Sequence, residues 1–244
     1  MSDFSSRHFH HVTKRHKQTP EKWPEIWNKT LYKEYPRLKT IALSDALHEV
    51  DLFSLIKTRV SRRTYSELTV TLLDIGTLLK YSCGNTHIMY NDDGSECGRS
   101  HRAVPSAGAR FPIEAYVVII RPSDDLSAGI YHYRVREHKL EVLCVRTFDA
   151  KDVQQLLTYE WAWEASAVVF LTAVFNRMQD KYGERGYRYI LLEAGHIAQN
   201  ICLISTALGI HTCPLAGTHD EAVESLLKID GISESLVYAV ALGR

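Results

Sequence analysis

The sequence predicts an α+β fold: a mostly antiparallel sheet flanked by long helices. Three observations carry this. Short apolar runs at 115–120, 168–174 and 236–242 read as buried strands, and 129–136 with 139–145 as a hairpin turning at Glu137-His138. The stretch 187–208 sets Ile190, Leu191, Ala194, Ile197, Ala198, Ile201, Ile204 and Leu208 on one broad helical face. The 244 residues are 45% hydrophobic and 24% charged, the profile of an ordinary globular chain.

In chain order, residues 1–50 read as an aromatic and basic arm or small subdomain, with 51–244 as the main domain. Trp23, Trp27, Tyr32 and Tyr35 need a surface to bury them, either the main body or a second chain. Thr64-x-x-Glu67 is a capping box, in which hydroxyl and carboxylate satisfy unpaired backbone N–H groups. It opens a predicted helix carrying Leu68, Leu72, Ile75 and Leu79 at helical spacing. Residues 84–104 are polar, with a turn at Asp92-Asp93-Gly94. Gly209 stops the long helix, since it can adopt the left-handed conformation that ends one. A shorter helix is expected at 220–228.

Composition excludes several classes. Lys+Arg and Asp+Glu are both 29, so the net charge is zero, and binding to nucleic acid through its phosphates is not expected. The longest nearly apolar run, 167–175, is nine residues against the roughly 20 of a bilayer span, so no membrane segment is expected. The N-terminus lacks the apolar stretch of a signal peptide. Five cysteines, none spaced as CxxC, argue against a disulfide framework or structural zinc and for a cytoplasmic location, and no metal site is expected.

Five segments could carry chemistry. Arg59, Ser61 and Arg63 alternate along an extended stretch, so two guanidiniums and a hydroxyl can face one way and grip a phosphate. By charge alone the stretch also fits a solvated basic turn. Pro105, Ser106, Ala107, Gly108 and Ala109 form a loop of small residues whose backbone could approach a flat ligand, or a plain connection. Pro214, Leu215, Ala216 and Gly217 have the same character. Lys181 and Tyr182 are adjacent, and such a pair can share a proton. Three cations, Lys181, Arg185 and Arg188, fall within 181–188, where the N-terminal dipole of a following helix opposes them, so this cluster has no evident stability rationale. In the long helix, Glu193 and His196 are i,i+3 neighbours, fitting a core polar network or part of a ligand wall.

The order of these motifs, with GIYHY, KYGERGYR and LLEAGHIAQN, resembles the nitroreductase-like flavoproteins. Within them the chain is similar to the SagB/ThcOx-type branch, the azoline dehydrogenases. The resemblance runs from Phe9-His10 to Arg244. It implies FMN bound at a homodimer interface, with Arg59, Ser61 and Arg63 on the phosphate and Arg244 in the region of a further phosphate cation. It places 105–109 against the isoalloxazine and 214–217 under the ring system. The helix with His196 would be the central helix of the dimer core. It further implies a dehydrogenase or oxidase converting a thiazoline or oxazoline, in a peptide or small carrier-bound heterocycle, to the azole. Lys181 with Tyr182 would remove a ring proton while hydride passes to flavin N5. A cyclodehydratase or synthetase would be its partner. NAD(P)H-dependent reduction of nitro, quinone or enone groups, or a flavin-binding scaffold, are the alternatives.

Overall fold

The computed structural model describes residues 6–14 and 29–244; Trp23 and Trp27 of the expected arm lie outside them. In chain order the elements are α1 (Ser6–Val12), β1 (Thr40–Ala42), α2 (Leu52–Thr58), α3 (Leu72–Cys83), β2 (Asn85–Tyr90), β3 (Glu96–Arg102), β4 (Ile113–Ile119), β5 (Gly129–Arg134), β6 (Lys139–Val145), α4 (Ala150–Gln154), β7 (Ala167–Val174), α5 (Asn176–Tyr182), α6 (Gly186–Ala207), β8 (His211–Leu215), α7 (Asp220–Leu227) and β9 (Glu234–Gly243). Seven strands form one sheet in the order β1-β6-β5-β4-β7-β9-β8, and every adjacent pair in it is antiparallel. A separate hairpin, β2–β3, forms from the polar segment around Asp92-Asp93-Gly94.

Alternation along the strands sorts side chains to two faces. Ala115, Val117 and Ile119 of β4 join Val169 and Leu171 of β7 against α3 and α6, burying Ile75, Leu78, Leu79, Ile190, Ile197 and Ile201. The opposite face, with Tyr116, Val118, Phe170 and Leu215, is covered by α4, α7 and the 156–165 segment. The expected fold class is therefore observed, with helices on both faces.

Local details differ from expectation. The helix starts at Leu72, not after Thr64. Its capping box is Thr71 with Asp74, whose side chain reaches back to the Thr71 N–H at 2.9 Å. Residues upstream are held elsewhere: Ser61 bridges Thr212, and Arg62 N–H donates to Thr212 O at 2.8 Å. Leu68 is exposed. Pro214 and Leu215 lie on edge strand β8, not in a loop. Leu191 and His196 are exposed, so neither belongs to the core side of α6.

The helical run Asn176–Ala207 is long and apolar enough, by length and composition, to cross a membrane, but 44% of its most apolar window is buried within the protein. Its buried residues pack on α3 and the sheet, which is the placement of a core helix.

Candidate active site

The candidate residues gather into two groups, one at each end of the sheet. The register fixes this. Thr212 pairs with Leu242, Leu242 with Ala167, and Ala167 with Ile119, so the segment bridged to Thr212 lies at the Ile119 end. The 105–112 loop leads into Ile113 at the other end, where Val174 N–H donates to Pro112 O and α5 begins. Six strand steps separate the ends, about 20 Å.

The first group is cationic. Arg59 caps α2, donating its N–H to Leu55 O at 2.8 Å. Arg59 and Ser61 are half-buried, and Arg63 is exposed. No ion pair of Arg59, Arg62 or Arg63 occurs among the described residues. Uncompensated guanidiniums of this kind suit a phosphate, whose oxygens accept from both prongs of the fork. Arg244 is different. Its carbonyl accepts from Ser66 N–H beside this group, but its guanidinium donates to both Asp74 oxygens, at 2.7 and 2.9 Å. The structure thus commits Arg244 to Asp74, where sequence reasoning expected a further phosphate cation.

β8 runs beside this group. Pro214 pairs with Val240 and Leu215 with Ala239. The Leu215 side chain is buried in the second core, so a ring system beside this segment would meet the backbone of Leu215 and not its side chain. Ala216 is exposed, and Gly217 O accepts from Thr158 N–H at 3.0 Å.

The second group is the loop with the Lys-Tyr pair. Pro105 and Gly108 are exposed, while Ser106, Ala107 and Ala109 are half-buried. A Cβ on Gly108 would lie 2.5 Å from Tyr182 Oη and 3.1 Å from Lys181 Nζ. The two segments therefore meet, at the tips of the Lys181 and Tyr182 side chains. Gly108 has φ +63°, a left-handed value it adopts without cost. Ala109 at +52° and Phe111 at +45° adopt it with strain, about 1–3 kcal/mol each.

That strain is held by a dense set of bonds. Ser106 O accepts from Ala109 N–H at 3.0 Å, and Ser106 Oγ accepts from Phe111 N–H at 2.9 Å. Arg177 donates to Phe111 O at 3.0 Å, and Arg110 Nε–H donates to Arg177 O at 2.6 Å. Arg177 also pairs with buried Glu114, which bonds His132 Nε2 at 3.1 Å, while His132 Nδ1 bonds Glu141 at 2.7 Å. Burial alone would raise the Glu114 pKa, but Arg177 and His132 hold it below the ordinary value. This chain ties α5, and so Lys181, to β4, β5 and β6.

Lys181 and Tyr182 sit in the last turn of α5, not at the start of the long helix, so the α5 dipole favours the Lys181 charge. Burial nevertheless depresses the Lys181 pKa, and Arg110 and Arg99 depress it further. Arg110 was legible as the one charge inside a run of small residues and prolines. Arg185 and Arg188 also gain a rationale. Arg185 donates to Thr13 O at 2.8 Å, and Arg188 donates to Thr13 Oγ1 and His10 O at 2.5 Å each. They cap the C-terminal end of α1, where cations are favoured. Arg185 also donates to Tyr189 Oη at 2.8 Å, and the Tyr189 ring meets Tyr182 edge-on at 5.1 Å. Among the described residues no cluster of His, Cys, Asp and Glu could hold a metal.

The nitroreductase family model matches residues 56–244. MJ1384 of Methanocaldococcus jannaschii, which carries a provisional nitroreductase assignment, is 30% identical over 187 residues, 75% of this chain and 87% of that protein. The trifolitoxin-processing protein TfxB of Rhizobium leguminosarum bv. trifolii is 33% identical over 177 residues, 70% of this chain and 47% of that one. A crystal structure of a provisionally assigned nitroreductase from Anabaena variabilis superposes with a TM-score of 0.73 at 29% identity, covering 97% of this chain and 45% of its own. The chain thus spans about half the length of the last two.

Proposed function

The chain belongs to the nitroreductase family, and from that premise we propose that it is an FMN-dependent dehydrogenase or oxidase that aromatises a thiazoline or oxazoline ring in a peptide or carrier-bound intermediate. One observation carries the reading: Lys181, its proton affinity lowered by burial and two arginines, meets Tyr182 at the Gly108 loop. A simple reductase needs no such base. The likeness to a toxin-processing protein supports a peptide substrate, and a cyclodehydratase or synthetase would supply the azoline.

The residues fit the cofactor. Arg59, Ser61 and Arg63 would hold its phosphate, and the 105–109 backbone would lie against its ring. Bound FMN supplies the two-electron acceptor that azoline oxidation requires. Lys181, as the neutral amine, takes the acidic ring proton, and Tyr182 orients it. Ala109 and Phe111, strained but pinned, keep the loop fixed while this happens.

The phosphate segment and the base lie at opposite ends of the sheet, about 20 Å apart along the strands, an arrangement that favours a flavin held between two chains over one held within a single chain. Two copies can bring the ends together. The surface for this exists: α2 buries none of its residues, and Phe53 is 79% exposed, Leu47 81% and Leu192 of α6 59%. An apolar groove of about 280 Å³, lined by Leu47, Val50, Leu52, Leu203 and Ile204, lies between α2 and α6. We therefore read the site as composite, formed by a homodimer.

The MJ1384 likeness, covering 87% of that protein, favours a second reading, NAD(P)H-dependent reduction of nitro, quinone or enone groups. One assay separates the two. The FMN-loaded protein is given a thiazoline-containing peptide in air, or NADPH without oxygen. Loss of two mass units from the peptide supports azoline oxidation. Flavin bleaching by NADPH with an unchanged peptide overturns it.

A further inference from the structure

Helix α1 lies against the start of α6, yet among the described residues it contributes to neither core. Its seven residues fall well short of the roughly 12–15 that a helix needs to persist alone in water. It has little apolar surface to hold it down: Phe9 is half-buried and Val12 is exposed. Polar groups dock it instead. Thr13, just past its last turn, is buried, and its hydroxyl donates to Phe9 O at 2.6 Å and accepts from Arg188 Nε at 2.5 Å. Such a satisfied buried network fixes one arrangement.

Two chains of contact lead from α1 to α5, the helix that carries Lys181 and Tyr182, and they reach its opposite ends. At the start of α5, the Phe9 ring meets Tyr187 edge-on at 5.5 Å, and Tyr187 stacks at 6.0 Å on Phe175, the residue before the helix. At its end, Thr13 O accepts from Arg185, Arg185 Nε donates to Tyr189 Oη, and the Tyr189 ring meets Tyr182 edge-on.

We propose that α1 is a wall of the active site that fixes Tyr182 beside Lys181, with Arg185 and Arg188 as its positioning residues. The surroundings support this. α5 is itself only seven residues long and has no side-chain cap at its start, so its neighbours set its orientation. Arg177 ties its first turn to Glu114 of β4, but Tyr182 stands at the far end, where Gly183 at φ +54° ends the helix. Lys181 Nζ lies 5.7 Å from the centre of the Tyr182 ring, so a shift of that ring changes the surroundings of the amine directly. The cations at 185 and 188 thus hold a helix end that favours them and, through it, the Lys-Tyr pair.

The test uses full-length, FMN-loaded protein and variants on the α1 side of the contact, Arg188→Ala and Phe9→Ala. Hydroxyl-radical oxidation of Tyr182 is read by mass spectrometry, with fully buried Tyr133 as the internal control. Both variants are expected to raise Tyr182 oxidation several-fold and leave Tyr133 at the wild-type level. With a thiazoline peptide, kcat is expected to fall by about 10- to 100-fold at nearly unchanged KM, the effect of a small misplacement in a site. FMN affinity should stay the same, since the arginine segment lies at the other end of the sheet. Arg188→Lys, which keeps a cation at the end of α1, is expected to recover much of both losses. Wild-type oxidation of Tyr182 in both variants overturns the proposal. So does a rise shared by Tyr133, which marks general loosening, or a rise at Tyr182 with unchanged turnover. The effect on turnover rests on the azoline reading, but the footprint does not: if wild type oxidises no azoline, Tyr182 oxidation still decides whether α1 fixes it.

Discussion

Lys181→Ala is expected to keep its bound FMN and lose azoline oxidation by about 10²- to 10⁴-fold, the usual contribution of a positioned general base. The variant leaves the other anchors intact. Phe111, Arg110 and Arg177 hold the loop through bonds that do not involve Lys181, and Arg59 and Arg63 lie at the other end of the sheet. Lys181→Arg is expected to be as inactive, since arginine keeps the charge but does not release its proton near neutral pH. The pH profile gives an independent check. A base works only when unprotonated, so wild-type kcat/KM rises with pH as Lys181 loses its proton. Because burial, Arg110 and Arg99 lower its pKa, the rise falls below the ordinary lysine value of 10.5. The Ala variant lacks that limb. An Ala variant with wild-type turnover would remove the Lys-Tyr mechanism.

Arg59→Ala/Arg63→Ala is expected to weaken FMN binding by about 10²- to 10⁴-fold, because two charge-assisted bonds to phosphate, each worth about 1.5–3 kcal/mol, are lost. Thermal stability of the flavin-free protein should barely change, since neither guanidinium holds an ion pair among the described residues. Riboflavin, which has no phosphate, is the internal control: its affinity should be the same in wild type and variant. Equal FMN affinity in both proteins, measured by flavin fluorescence, would show that the phosphate lies elsewhere.

Most of the fold was legible because its core elements carry strong local patterns. The runs that became β4, β7 and β9, and the face of α6, differ from expectation by one or two residues at their ends. Failures arose where tertiary contacts overrode a local signal. Thr64-x-x-Glu67 has the form of a capping box, but Ser61, Arg62 and Ser66 are tied to β8 and the chain's end, so the helix waits for a second box at Thr71-x-x-Asp74. The short helix α2 sets Leu52, Leu55 and Ile56 at helical spacing, but over only seven residues, too short a window for periodicity to mark a helix. β2 and β3 are polar, and pair with each other apart from the main sheet.

The site was legible in its residue types more than in its arrangement. Arg59, Ser61 and Arg63 are identifiable from alternation, and Lys181-Tyr182 from adjacency. Nothing in their spacing shows that Gly108 meets Tyr182, or that the arginine segment lies at the far end of the sheet. Both facts come from strand register. Glu193 had a signal, an acid on the apolar face with Ile190, Ala194 and Ile197. Pairing it with His196 obscured that signal, because His196 is exposed and Glu193 turns inward.

The most direct test of the composite site combines the two variants. Lys181→Ala chains and Arg59→Ala/Arg63→Ala chains, carrying different affinity tags, are co-expressed, and the species bearing both tags is purified. In that heterodimer the intact phosphate segment of one chain faces the intact Lys-Tyr pair of the other at one of its two sites. The account predicts about half the wild-type turnover from two inactive parents. A doubly tagged heterodimer no more active than either parent would contradict it, and would confine each site to a single chain.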